Sequence, residues 1–297
     1  MSLRAELVRL GVRFFMKRPS RRQTLADARR FVAAAEALTP APPGRARTQA
    51  LDAGGVPAHR VVMPGADRDR HVLYLHGGAY VTGSAAIYRH FTWRIAAALR
   101  ASVLVVDYRL APEHPFPAAL DDAVAAYRWL LAQGVAPRQI AIMGDSAGGG
   151  LALATLLRLR DEGLPLPAVA VALSPWTDLA MTGASYARNA RADPMIDVAV
   201  VPHLVRLYLG GADPRHPHAS PLYGDPTGLP PTLFQIGSDE ILHDDAVRMA
   251  ERMRAAGCHA ELEVWPRMPH VWHLFAPLVP EAQRAIARIA AFVERHM

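Results

Sequence analysis

The chain has 297 residues, 51% of them hydrophobic and 20% charged, the composition of a globular protein with a substantial core. Its net charge is +6, but no Lys/Arg block of six or more and no aromatic-rich basic motif accompanies the arginines, which argues against a nucleic-acid partner. No run approaches the roughly 18 apolar residues of a membrane span, and Arg4, Glu6, Arg9 and Arg13 interrupt any secretory apolar core, so the expected location is cytoplasmic.

The single Cys258 excludes an internal disulfide and fits a reducing compartment. Leu3, Leu7, Leu10 and Phe14 recur at helical spacing with arginines between them, predicting an amphipathic helix over 3–16. A second helix is expected from Leu25 to Leu38, ended by Pro40, Pro42, Pro43 and Gly44. Strands then alternate with helices. Strands are expected at Arg60–Met63, Val72–Leu75, Ser102–Val106, Ile140–Met143, Val169–Leu173, Thr232–Ile236 and Glu261–Val264. Helices are expected at Ile87–Leu99, Ala118–Leu131, Leu151–Leu159, Val198–Leu209, Asp244–Ala256 and Pro280–Arg295. Short apolar strands separated by helices mean an α/β protein with a doubly covered, mostly parallel sheet. The alternation lapses between about 178 and 220. That lapse and the opening helices, 1–45, are the material for a helical cap over a single domain spanning 1–297.

Gly144-Asp145-Ser146-Ala147-Gly148 sits between a buried strand and a helix. A serine flanked two residues away on each side by glycine is a nucleophile elbow. The turn is too tight for a Cβ at either glycine, and the helix dipole points at the serine. In this arrangement the acid follows the serine in the chain and the histidine follows the acid, each just beyond a strand end. Asp239 is the first acid past the Thr232–Ile236 strand. Asp244 and Asp245 compete, but read better as opening the next helix. His270 lies between the last strand and the last helix, where the base belongs; His273 is its rival. The oxyanion donors expected are the N–H groups of Gly77, Gly78 and Ala147. His76 is expected to hold the glycine loop by hydrogen bonding. His216 and His218 belong to no His-Glu-x-x-His pattern, and no dinucleotide or P-loop fingerprint occurs in context, so no metal and no cofactor is expected.

Together, His76-Gly77-Gly78, Asp107-Tyr108-Arg109-Leu110-Ala111-Pro112-Glu113 and Gly144-Asp145-Ser146-Ala147-Gly148-Gly149 resemble the hormone-sensitive-lipase family of α/β-hydrolases, in its bacterial esterase branch. The resemblance covers roughly residues 60–297. It implies the α/β-hydrolase fold, a cap built from the N-terminal helices and a late insertion, and a triad of Ser146, Asp239 and His270. It implies a serine carboxylesterase acting on short- to medium-chain esters through an acyl-enzyme. An amidase or N-deacetylase would use the same residues, and a ligand-binding receptor on the same fold would lack His270. Many relatives carry His-Gly-Phe where this chain has His270-Val271-Trp272, which places the bulk of Trp272 near the base. The expected partner is a small-molecule ester; a homodimer is left open.

Overall fold

The computed structural model describes residues 1–17 and 24–297. Among the described residues, eight strands form one sheet in the order β1-β2-β4-β3-β5-β6-β7-β8. They are β1 (Arg47–Asp52), β2 (Pro57–Val62), β3 (His71–Leu75), β4 (Ser102–Val106), β5 (Ile140–Asp145), β6 (Val169–Leu173), β7 (Thr232–Gly237) and β8 (Ala260–Trp265). The pairs β1–β2 and β2–β4 are antiparallel, and every later pair is parallel. This is the α/β-hydrolase fold.

The helices are α1 (Leu3–Met16), α2 (Leu25–Leu38), α3 (Ala85–Leu99), α4 (Ala118–Ala132), α5 (Ala147–Asp161), the short α6 (Ser185–Arg188), α7 (Val201–Leu209), α8 (His243–Ala255) and α9 (Pro280–His296). Two apolar layers sandwich the sheet. One joins α4, α5, α7 and α8 to it; the other joins α3 and α9. Every residue of β5 is buried, because a central strand covered on both faces has no solvent side to reserve for polar residues.

Two of the departures from the sequence expectation have clear physical causes. Strand β1 was not expected, because Arg47-Thr48-Gln49-Ala50-Leu51-Asp52 is almost wholly exposed and carries no apolar alternation. It is an edge strand held by backbone pairing to β2. Helix α5 begins at Ala147, not Leu151, so the run Gly148-Gly149-Gly150 is its first turn. Close packing explains that composition: a Cβ on Gly148 would strike the carbonyls of Leu75 and His76, and one on Gly150 the carbonyl of Trp176. The triplet lets the nucleophile helix sit directly against β3 and the loop after β6.

Among the described residues, no helix is long and apolar enough to cross a membrane.

Candidate active site

The parallel strands β3, β5, β7 and β8 all end at one edge of the sheet, and the chemistry-bearing residues follow those ends, where sites form in open α/β sheets. Ser146 joins β5 to α5 with φ 54° and ψ −123°, outside the ordinary regions for a non-glycine residue. Its N–H donates to the Leu173 carbonyl at 2.8 Å, and its own carbonyl accepts from Trp176 N–H at 2.9 Å. These bonds hold the strained backbone and leave the hydroxyl out of the turn's own hydrogen bonding. A Cβ on Gly144 would overlap the Gly148 backbone, so both elbow glycines are steric requirements. Further positive φ values occur at Ala79, Tyr80, Ser174 and Val271. Strain of this kind collects where a surrounding scaffold over-determines a site.

His270 is buried. Its Nδ1 lies 2.7 Å from Oε2 of Glu240, so the acid paired with the histidine is Glu240, not the expected Asp239. Glu240 is fully enclosed. Its Oε1 accepts from Gly237 N–H at 2.6 Å and from Ser174 Oγ at 2.8 Å, and Ser174 Oγ in turn accepts from Val271 N–H at 3.2 Å. Burial raises the Glu240 pKa, opposed by the bond and charge of His270. For His270, burial favours the neutral ring but is outweighed by Glu240, with Asp193 and Asp145 adding to the rise.

Asp239 points the other way. Its Oδ2 accepts from Arg9 Nη2 at 2.7 Å, and its Oδ1 accepts from Ser238 Oγ at 2.9 Å. The strand runs one residue further than expected, through Gly237, and the turn after it sends Asp239 outward and Glu240 inward. Asp244 and Asp245 lie in the first turn of α8. Asp244 binds Arg188 and the Ser185 N–H; Asp245 accepts the N–H groups of Thr177 and Asp178. The rival His273 is buried against Trp272, its Nε2 lies 2.8 Å from Gln235 Oε1, and burial together with the charge of His270 lowers its pKa to about 3. Trp272 itself is enclosed in the layer between α3, α9 and the sheet. Its bulk fills core, not the pocket beside the base.

The glycine loop after β3 departs from expectation at Gly77. The Gly77 N–H donates to Tyr88 Oη at 3.0 Å and to Asp145 Oδ1 at 3.1 Å, so it is committed inside the protein and is not an oxyanion donor. Among the described residues, the next two N–H groups, of Gly78 and Ala79, donate to no protein acceptor. Ala147 is the first residue of α5, where an N–H has no intrahelical acceptor. His76 stacks on Tyr108 with ring centroids 4.3 Å apart, and its Nδ1 lies 2.7 Å from the Gly77 carbonyl. Burial lowers its pKa.

Three residues outside the expected set tie these loops together. Asp145 is buried and accepts from Tyr74 Oη at 2.8 Å and Tyr88 Oη at 2.7 Å besides Gly77, so the residue before the nucleophile braces the glycine loop. Burial raises its pKa from 3.8 to about 6, against the pull of those donors and His270. Asn189 donates to the carbonyls of Ser238 and Glu240 at 3.1 and 2.8 Å. Asp193 accepts from Ile241 N–H at 2.9 Å. Both belong to the segment after β6 whose sequence pattern lapses, and nothing in that irregular sequence singles them out.

Helix α1 lies over the same segment, but by its charged face. Arg9, Arg13 and Lys17 donate to the carbonyls of Ala192, Arg191 and Ala190, and Glu6 accepts from Arg267 in the loop that carries His270. The apolar stripe of this amphipathic helix faces outward: Leu3, Leu7, Leu10 and Phe14 are 77%, 61%, 53% and 55% exposed. Helix α2 covers the glycine loop's far side, with Arg29 donating to the carbonyls of Val81 and Ala111 and pairing with Glu113.

A family model described as the α/β-hydrolase fold matches residues 72–274. The chain is 50% identical over 232 residues to an acetyl-hydrolase of Streptomyces hygroscopicus, covering 78% of each chain. It is 38% identical over 240 residues to the esterase LipU of Mycobacterium tuberculosis, covering 78% of this chain and 80% of that one. Among solved structures, an esterase from the bacterial hormone-sensitive lipase family superimposes with a TM-score of 0.94 at 48% identity, covering 100% of this chain and 99% of the other. An esterase soaked with p-nitrophenyl butyrate superimposes with a TM-score of 0.95 at 40% identity and the same coverage.

Proposed function

The chain belongs to the hormone-sensitive-lipase family of α/β-hydrolases and is a carboxylic ester hydrolase, and on that premise we propose that Ser146, His270 and Glu240 form its catalytic triad. The observation that carries this reading is the 2.7 Å bond between His270 Nδ1 and Glu240 Oε2. It fixes the imidazole with Nε2 as the atom left for proton exchange with serine.

His270 takes the Ser146 proton as Oγ attacks the ester carbonyl. The resulting imidazolium is stabilised by the buried carboxylate of Glu240. The N–H groups of Gly78, Ala79 and Ala147 receive the oxyanion; they replace the expected set, in which Gly77 stood where Ala79 now does. His270 returns the proton to the departing alcohol. Water then repeats the sequence on the acyl-enzyme, and free acid leaves.

The substrate class proposed is short- to medium-chain esters, and the cap proposed is residues 1–45 with 178–220. Residues 18–23 of that cap lie outside the described residues. The hydrogen bonds from α1 to residues 190–192 support one cap made of the two segments. A panel of p-nitrophenyl esters of rising acyl length, with matching anilides, tests both the reaction and the chain length. Turnover of anilides at rates matching the esters would replace the esterase assignment with an amidase.

A further inference from the structure

His259, Glu261 and His296 converge on the outer edge of the sheet, remote from Ser146 in the fold. His259 immediately precedes β8 and Glu261 is the second residue of that strand, so the two side chains project to one side of it. His296 is the last residue of α9, which brings it to the same place from the far end of the chain. One ligating atom from each of the three lies within 4.8 Å of the other two.

The spacing suits a small divalent cation. His259 Nε2 lies 3.3 Å from Glu261 Oε1. Ligands about 2.0–2.1 Å from a tetrahedral zinc ion stand about 3.4 Å apart. Both imidazoles rest against Phe292, with ring centroids 6.2 Å and 4.7 Å from it, and Phe292 is a buried core residue. Phe292 thus backs both rings, while the His259 side chain stays 51% exposed and open to a ligand from solvent. Their own centroids are 4.9 Å apart.

A second observation points to a ligand. His296 Nε2 is sealed from solvent and has no hydrogen-bond partner. Buried polar atoms in folded proteins are normally satisfied, and a cation shared with the neighbouring imidazole and carboxylate would satisfy this one. Arg295 Nη2 donates to Glu261 Oε1 at 2.7 Å, an outer partner of the kind that orients a ligating carboxylate.

We propose that His259, Glu261 and His296 bind a zinc-type divalent cation, with water completing the tetrahedron. Two imidazoles and one carboxylate are the donor set such an ion takes. The ion would fasten the end of α9 to the edge strand β8. It takes no part in ester hydrolysis. Sequence patterns could not reveal it, because the third ligand is separated from the first two by the loop carrying His270 and the whole of α9.

The test uses the full chain freed of metal and titrated with cobalt(II) and with zinc. The expected result is a single equivalent bound, a visible absorption band of four-coordinate cobalt, and a zinc-dependent rise in Tm through preferential binding to the folded state. His296→Ala and His259→Gln should each weaken binding by at least roughly tenfold and remove the cobalt band, an effect no smaller than that of losing an outer-shell partner. Neither change should alter ester turnover, nor the Tm without metal by as much as the zinc-dependent rise. His218→Ala should leave binding intact; that residue stands beside His216, the alternative place for a surface ion. A chain that shows no band and no Tm rise overturns the proposal. So does a band that survives His296→Ala or disappears with His218→Ala.

Discussion

His270 and Glu240 are joined by a bond from which neither can easily turn away. The carboxylate oxygen not used by His270 is occupied by Gly237 N–H and Ser174 Oγ, and the Glu240 carbonyl is gripped by Asn189. A Cβ on Gly237 would strike the Met268 carbonyl, so glycine there lets the acid loop and the histidine loop approach each other. Glu240→Gln should therefore lower kcat by roughly 10⁴-fold, since an amide favours the wrong imidazole tautomer and does not stabilise the imidazolium. Asp239→Asn removes only a partner of Arg9 and should cost far less. Steady-state kinetics on both purified variants decides between the acids, and a larger loss for Asp239→Asn would return the role to Asp239.

Ser146→Ala should abolish turnover, by about 10⁶-fold in kcat, while the protein keeps its fold. Alanine leaves the backbone bonds to Leu173 and Trp176 in place, so circular dichroism and Tm should change little. The strained φ remains, because a Cβ remains. Hydrolysis at the wild-type rate by a serine-free preparation is the result that the triad cannot survive.

The base must be neutral to act, so kcat/KM should rise with pH through the His270 pKa. That pKa is raised above 6.5: burial works against the rise, but the Glu240 bond and charge exceed it. The acid limb of the profile should lie above the ordinary histidine value. Glu240→Gln removes the largest raising contribution and leaves burial, so its residual activity should show the limb displaced to lower pH. A limb unmoved by that substitution would mean that a different group titrates.

The elbow was legible because its constraint is local: Gly144 and Gly148 are required by carbonyls within the same turn and the adjoining strand end. Parallel strands were legible because central strands are apolar throughout, as β5 and β6 are. The acid was not. Asp239 and Glu240 are neighbours of like charge, and a single-residue extension of β7 exchanges which one faces inward. Gly77 failed as a donor for a related reason: its N–H direction depends on Asp145 and Tyr88, from distant parts of the chain. The outward stripe of α1 shows the limit of periodicity. Leu3, Leu7 and Leu10 define a face correctly, but the face that docks is set by carbonyls at 190–192 that long basic side chains reach with hydrogen bonds.

Asp145 makes stability depend on pH. Its folded pKa is about 6 against 3.8 for the free side chain. The folded state thus holds a proton that the unfolded chain has released, and stability from this group falls as pH rises through that interval. The full span is about 3 kcal/mol. Asp145→Asn cannot titrate, so chemical denaturation from about pH 4 to about pH 7 should show the wild type losing stability relative to the variant by an amount of that order. The constant offset from the altered bonds to Tyr74, Tyr88 and Gly77 cancels in that comparison. Parallel stability curves would show that Asp145 is already ionised at the acid end. The variant should also turn over ester about 10²-fold more slowly, the cost of a displaced oxyanion donor.

Deleting residues 1–17 tests what α1 does. The helix offers solvent its leucines and offers the protein Arg9, Arg13, Lys17 and Glu6. Those four contact residues 190–192, Asp239 and Arg267, the outer supports of the loops bearing Glu240 and His270. Asp193, next in the supported segment, holds the backbone one residue past Glu240. Losing α1 should therefore lower kcat for short and longer esters alike, by loosening the acid and the base. If the helix served mainly to cover the acyl chain, KM for the longer ester would rise while kcat for acetate stayed constant. The same deletion removes an exposed apolar stripe, and exposed apolar patches promote association, so the shortened protein should be less prone to aggregate at high concentration. A second outcome separates surface anchoring from support: a deletion that leaves the whole ester panel unchanged but ends sedimentation with anionic vesicles at low salt assigns the stripe to a lipid interface. Uniform loss of kcat with Km values unchanged, and partial loss of kcat in Arg9→Ala alone, is the result expected if α1 buttresses the catalytic loops.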